Sequence, residues 1–246
     1  MNSSPTLLIF DLDDTLIDTS RGFYDLREAF VVLLVEKGMS EERVRETLSK
    51  IEEVNIERYG YVSERNLVSM RETYEALTVG TDVRIQSADL RRIARLGSKC
   101  LYEIPKPMPG ARRLLPWCAT RFTCAMLTRG SHALQEAKVE GLHVRQYLAS
   151  VTVVAKKTAG SFADVAHSLG HDPAQCISIG DSMRFDVSTA LEAGMSAIHV
   201  VYPHPDIQWV HDYAPSVVSP RWRPAAGLAA VRTLLEQWSS ASGTFE

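Results

Sequence analysis

The run Leu7-Leu8-Ile9-Phe10-Asp11-Leu12-Asp13-Asp14-Thr15-Leu16 joins four large apolar residues to three carboxylates within four positions. An apolar run without polar alternation predicts a strand covered on both faces, as in the parallel sheet of an α/β domain. Ligands of such sheets bind outside the carboxyl ends of the strands. A central strand over Thr6 to Phe10 therefore delivers Asp11 and Asp13 to that end, and the two-residue side-chain period points both the same way. Two adjacent carboxylates repel, so a site built from them calls for a cation.

The same grammar recurs further along the chain. Arg121 to Leu127 reads as a strand that ends at Thr128-Arg129-Gly130, and Tyr147 to Val154 as one that leads to Lys156-Lys157. Gln175 to Ile179 is a third, ending at Gly180-Asp181-Ser182-Met183-Arg184-Phe185-Asp186. Helices are expected between them: Ala111 to Cys118, Ser131 to Gly141, a Thr158-capped helix to Leu169-Gly170, and Phe185 to Ala193 stopped by Gly194. A strand from Ser196 to Val201 and a closing helix from Ala225 to Trp238 follow, with Tyr202 to Asp206 and Arg221 to Pro224 read as loops. Strand and helix in alternation predict an α/β fold with a doubly wound parallel sheet.

Between the first strand and this series the pattern is helical. Ser20 is expected to cap a helix carrying Leu26, Phe30, Leu33 and Leu34, with Gly38 as its stop. Ser40-Glu41-Glu42 opens a second with Val44, Leu48, Ile51 and Ile56, and Ser63 and Ser87 are the caps expected for two more. Phe23, Tyr24 and Tyr74 fall on apolar stripes and are assigned to the bundle core. The linker Ile104-Pro105-Lys106-Pro107-Met108-Pro109-Gly110 returns the chain to the sheet. Residues 1–17 and 106–246 are thus read as a core domain and 18–105 as an inserted α-helical domain.

Composition narrows the function classes. With 246 residues, 45% hydrophobic and 23% charged, the chain is ordinary for a globular protein. A formal net charge of -3 and a pI near 6.2 leave no electrostatic footprint for nucleic acid, and no polybasic run suggests a membrane surface. Met1 to Pro5 lacks the signature of a secretory signal, and no apolar run reaches the roughly 18 residues of a membrane span. A cytoplasmic location is expected; nothing in the sequence sets the oligomeric state. Cys100, Cys118, Cys124 and Cys176 have no Cys-x-x-Cys pair and are read as reduced and structural. His204 and His211, irregularly spaced among prolines, are read as loop residues rather than metal ligands.

Leu7 to Phe10, Asp11, Asp13 and Thr15 match hhhhDxDxT, and the chain resembles the haloacid dehalogenase (HAD) superfamily, a Rossmann-like core with, here, a C1-type helical cap. The resemblance implies that Asp11 is the nucleophile that becomes an aspartyl-phosphate and Asp13 the general acid/base, chemistry open to a carboxylate attacking phosphorus. Leu127-Thr128 resembles the second motif, whose hydroxyl binds the transferring phosphoryl group; Arg129 stands where Asn is often found and is a further substrate-binding candidate. Lys156-Lys157 resembles the third motif. A Lys-Pro-Asp-Pro register selects Lys156, whereas the pattern Lys-(Asp/Thr)-x-x-x-(Phe/Tyr) selects Lys157 with Phe162, and Lys157 is the preferred reading. Gly180 to Asp186 resembles the fourth motif, GDxxxxD, and Asp186 to Met195 its D-x-x-x-A-x-x-A-G-M continuation.

The resemblance implies Mg2+ as cofactor, held by Asp11, the backbone carbonyl of Asp13 and Asp181, with Asp186 bound through water or orienting the others. It also implies a small-molecule phosphate ester as substrate, with cap closure excluding water. Asp13 speaks against a haloacid dehalogenase, which needs no leaving-group acid. A phosphomutase shares the four motifs, and a non-catalytic HAD-scaffold protein would have no use for the full set. Arg21, Arg27 and Trp117 are named as candidate substrate contacts, and Asp14 only as a turn or helix-start residue.

Overall fold

The computed structural model describes residues 6–60, 64–79, 86–204, 207 and 219–240, apart from the side chains at 99–102 and 239–240. The chain forms two compact units. One comprises residues 1–20 and 104–246, the other residues 21–103. Thr19 and Ser20 are tied to the loop before them within the first unit: Ser20 donates from its backbone N to Asp14 Oδ1 at 2.7 Å, and Thr19 Oγ1 to Asp13 Oδ1 at 2.5 Å.

The first unit is built on a six-stranded parallel sheet. Its strands are β1 (Leu7–Phe10), β2 (Thr123–Arg129), β3 (Ser150–Val154), β4 (Cys176–Gly180), β5 (Ser196–Val200) and β6 (Trp222–Ala225). Their order is β3-β2-β1-β4-β5-β6, with every pairing parallel. β1 is central, and the winding reverses there, so its carboxyl end is the switch point where α/β sheets place ligands.

Alternation along β1 assigns the two faces. Leu8 and Phe10 pack with α5 (Ala111–Ala119), α6 (His132–Leu142) and α9 (Leu228–Ser240) through Leu115, Val139, Leu142, Val231 and Leu235. Leu7 and Ile9 pack on the other face with Phe162, Val165 and Ala166 of α7 (Ala159–Ser168) and Ala190 of α8 (Thr189–Glu192). All four β1 side chains are at most 1% exposed, which explains the unbroken apolar run.

Two segments read otherwise from the sequence are corrected. Trp222 to Ala225 is not a loop but the edge strand β6, paired with β5. Its Pro224 misled the reading, and an edge is where a strand tolerates a missing N–H. The helix expected from Phe185 begins instead with a π-helical segment, Met183–Ser188, that runs into α8. The other elements lie within a few residues of expectation, and Thr158 caps α7 through a reciprocal capping box with Ser161.

The second unit contains α1 (Thr19–Val35) from its third residue onward, α2 (Glu41–Tyr59), α3 (Arg65–Thr78) and α4 (Ser87–Tyr102). Phe23 and Tyr74 are buried as expected, whereas Tyr24 is exposed. Ser20 does not cap α1. It lies inside the helix, and Asp14, left-handed at φ 60°, does the capping by accepting from both the Ser20 backbone N and its hydroxyl. Ser63 and His211 lie outside the described residues, as does the side chain of Cys100; Cys118, Cys124 and Cys176 are free and buried. Among the described residues no helix is long and apolar enough to cross a membrane.

Candidate active site

The carboxyl ends of β1, β2 and β4 and the loop after β3 converge on one group of polar side chains. Asp11 follows β1 directly, its backbone N donating to Ile179 O of β4 at 2.9 Å, which fixes its height in the sheet. Thr15 returns through the tight turn at Asp14. Its hydroxyl reaches Asp11 Oδ2 at 3.1 Å and accepts from the Asp181 backbone N at 3.0 Å, tying the β1 loop to the β4 loop.

Lys157 is 4% exposed, and its ammonium is paired with Asp11 Oδ1 and, at 2.6 Å, with Asp186 Oδ1. Lys156 is exposed to solvent. Asp186 also accepts from the Ser182 backbone N at 3.0 Å. Gly180 permits this: a Cβ there would stand 2.3 Å from Asp186 Cγ. On β5, His199 donates from Nε2 to the Asp181 carbonyl at 2.7 Å, holding the β4 loop from behind.

The electrostatics follow from this crowding. Burial pushes the Asp11 carboxyl up to about 7; Lys157 opposes the shift, and Asp186 and Asp13 add to it. Asp181 is raised well above the usual carboxylate range, first by burial and then by Asp11, Asp14 and Asp186. Lys157, despite burial, is held above its ordinary value by Asp11 and Asp186. Carboxylates that resist ionising together in a dry site are relieved by a cation. Asp11, Asp181 and Asp186 each offer an oxygen, all within 4.8 Å of one another, and a hard all-oxygen donor set fits a divalent ion such as magnesium.

Asp13 is engaged elsewhere. Its Oδ1 accepts from Lys138 Nζ at 2.7 Å and from Thr19, and its Oδ2 from Gln135 Nε2 at 2.7 Å. Burial works against ionisation of Asp13, but Lys138, Thr19 and Gln135 together hold it below the usual carboxylate range. Thr128 is fully buried at the end of β2, its hydroxyl accepting from the same Gln135 nitrogen at 2.5 Å.

The sequence profile of the haloacid dehalogenase-like hydrolases matches residues 5–194, a stretch that contains β1 to β4 and every carboxylate of this group. The chain belongs to that family. A haloacid dehalogenase-like hydrolase from Xanthomonas campestris is 25% identical, with a TM-score of 0.76 over 96% of this chain and 99% of its own. A HAD hydrolase from Bacillus subtilis, in a structure bound to magnesium, shares 16% identity and a TM-score of 0.62 over 95% and 99% of the two chains. An L-2-haloacid dehalogenase from Xanthobacter autotrophicus with chloropropionic acid covalently bound also shares 16%, with a TM-score of 0.60 over 94% and 98%. The last two show likeness of fold alone. Among curated proteins none matches the sequence significantly.

Of the residues singled out in the sequence of this HAD-like hydrolase, the structure brings Asp11, Asp13, Thr128, Lys157, Asp181 and Asp186 together. Arg129 ends β2 with its guanidinium stacked 4.4 Å over the Phe185 ring. Trp117 does not join this group. It lies at the end of α5, before β2 begins, packed on Phe122 and between Arg121 and Arg232, at the opposite end of the sheet from the site. Arg27 pairs with Glu52 within the helical unit.

Sequence reading missed Gln135, Lys138 and His199. Gln135 had one readable signal: it heads the buried stripe Gln135, Val139, Leu142 of α6, where the period calls for an apolar residue. Nothing in the sequence ties Lys138 or His199 to the carboxylates, since those contacts exist only once α6 and β5 lie beside the loops after β1 and β4.

Proposed function

We propose that this chain is a magnesium-dependent phosphohydrolase that acts on a small phosphorylated metabolite through an aspartyl-phosphate on Asp11. The observation that carries the reading is the pair Asp11 and Asp13 two residues apart on one loop, each seated against its own set of partners. Asp11 stands against a lysine and two further carboxylates, and Asp13 is a separate carboxylate turned to α6. A haloacid dehalogenase needs only the first of these, so the elaborate seating of Asp13 supports phosphoryl transfer.

In this reading the Asp11 carboxylate attacks phosphorus as the bond to the ester oxygen breaks, and Asp13 relays to that oxygen the proton that a monoanionic ester brings into the site. Asp13 then takes a proton from the water that attacks the aspartyl-phosphate, which restores the Asp11 carboxylate and releases phosphate. Lys157 and the Thr128 hydroxyl face the negative charge of the transferring group, the task for which fixed cationic and hydroxyl donors are suited. Asp11, Asp181 and Asp186 would hold the divalent ion, with the Asp13 backbone carbonyl beside them. When bound, that ion supplies charge neutralisation among these carboxylates and at the phosphoryl oxygens.

The test is turnover of an aryl phosphate and of 2-chloropropionate, each with magnesium and with excess chelator. Phosphate release only with magnesium, abolished in Asp11→Asn, is the expected result. Chloride release without phosphate release, or phosphate release undiminished by chelator, would refute the reading.

A further inference from the structure

Gln135 and Lys138 lie one turn apart on α6, and both side chains end on Asp13. Gln135 is 2% exposed, and burying its amide is costly unless its donors are used. An amide nitrogen has two hydrogens, and the structure gives this one two acceptors, Asp13 Oδ2 at 2.7 Å and Thr128 Oγ1 at 2.5 Å. A carboxylate only accepts, so it is the nitrogen and not the oxygen of the amide that faces Asp13. Thr128, as an acceptor from Gln135, keeps its own hydrogen for an anion.

The backbone is shaped around this contact. Gly130, two residues after Thr128, has φ +148°, and a Cβ there would stand 3.2 Å from Gln135 Cδ and Cγ. Only a glycine combines that conformation with room for the amide. Lys138 and Thr19 then take the second oxygen of Asp13 at 2.7 Å and 2.5 Å, so its direction is set from two elements.

We infer that Gln135 is a positioning residue that aligns Asp13 with Thr128, and that Lys138 completes the seat. The inference rests on the phosphohydrolase reading, in which Asp13 serves the leaving oxygen and Thr128 the phosphoryl group. Gln135 makes the distance between those two functions a fixed property of β1, β2 and α6, rather than of side chains free to turn. A residue with a merely structural part would affect every substrate alike, whereas one that aims a proton donor matters most where the leaving oxygen most needs a proton.

The experiment compares wild type, Gln135→Met, Lys138→Met and Lys138→Arg on p-nitrophenyl phosphate, whose leaving group is a stable phenolate, and on glycerol phosphate, which leaves as an alkoxide. Binding of manganese to each protein is followed alongside. The inference expects kcat on glycerol phosphate to fall at least about tenfold further than kcat on the aryl ester in both Met variants. KM and manganese affinity should stay near wild type, and Lys138→Arg should recover part of the loss. Equal losses on the two esters, or losses that track manganese affinity, would overturn it. A Gln135→Met protein that does not fold leaves Lys138→Met, at a less deeply buried position, to decide by the same criteria. Failure of the wild type to hydrolyse either ester would instead remove the phosphohydrolase reading, and the inference with it.

Discussion

At the scale of single residues, the site is a contest between burial and charge. Asp11, held near 7 chiefly by burial, binds a proton that a cation must displace. Because its pKa is raised, the ionised form that a metal requires gains population as pH rises through that value. Magnesium affinity, measured by titration calorimetry, is therefore predicted to climb as pH rises from 5 through about 7, with Asp181, also raised by burial, adding to the climb and with proton release on binding largest at the acid end. Gly180→Ala gives a steric test of the same cluster. Its new Cβ would fall 2.4 Å from Asp186 Oδ2 and 2.5 Å from Asp186 Cβ, against a side chain already held by Lys157 and the Ser182 backbone N, and should lower cation affinity by about 10–100-fold. The two adjacent lysines separate cleanly. Lys157→Ala should reduce kcat by at least about a hundredfold, and exposed Lys156→Ala should leave it close to wild type.

At the scale of elements, what could be read in advance depended on whether the signal was local. β1 and β4 were legible because both faces are covered, so an apolar run ending in Asp has few other readings. The capping box of α7 was half legible in Thr158 alone. Thr158→Ala removes a bond to the Ser161 backbone and is predicted to cost about 0.5–2 kcal/mol, read as a lower Tm with the sheet intact. The π-helical turn at Met183–Ser188 was not legible, since one extra residue in a turn leaves a 3.6-residue apolar period nearly unchanged over so short a stretch. Yet that turn brings Asp186 back to the Ser182 backbone N and to Lys157. β6 was missed for the opposite reason, because a Pro that forbids a central strand is compatible with an edge.

At the scale of the whole molecule, four motifs located the site and none of them described its wiring. Asp11, Asp13, Thr128, Lys157, Asp181 and Asp186 were readable because each follows or adjoins a strand. Gln135, Lys138 and His199 were not, because their partners lie on other elements and are fixed only by the sheet order. The first unit is made from two separate stretches of chain. They are stitched where the chain leaves and returns, by Asp18 N to Lys106 O at 2.8 Å and Met108 N to Leu16 O at 2.9 Å. Residues 21–103 replaced by a short Gly/Ser linker should therefore leave a core that still unfolds cooperatively by circular dichroism; a chain without a transition would show that the stitch is insufficient.

The central claim, that Asp11 carries the phosphoryl group, is tested most directly by acid-quenching the protein during turnover of p-nitrophenyl phosphate with magnesium and mapping the peptide containing Asp11 by mass spectrometry. The account predicts a phosphoryl adduct on Asp11 that is lost on treatment with hydroxylamine and absent from Asp11→Asn, which turns nothing over. Undiminished turnover by Asp11→Asn, or an adduct on another residue, would contradict it.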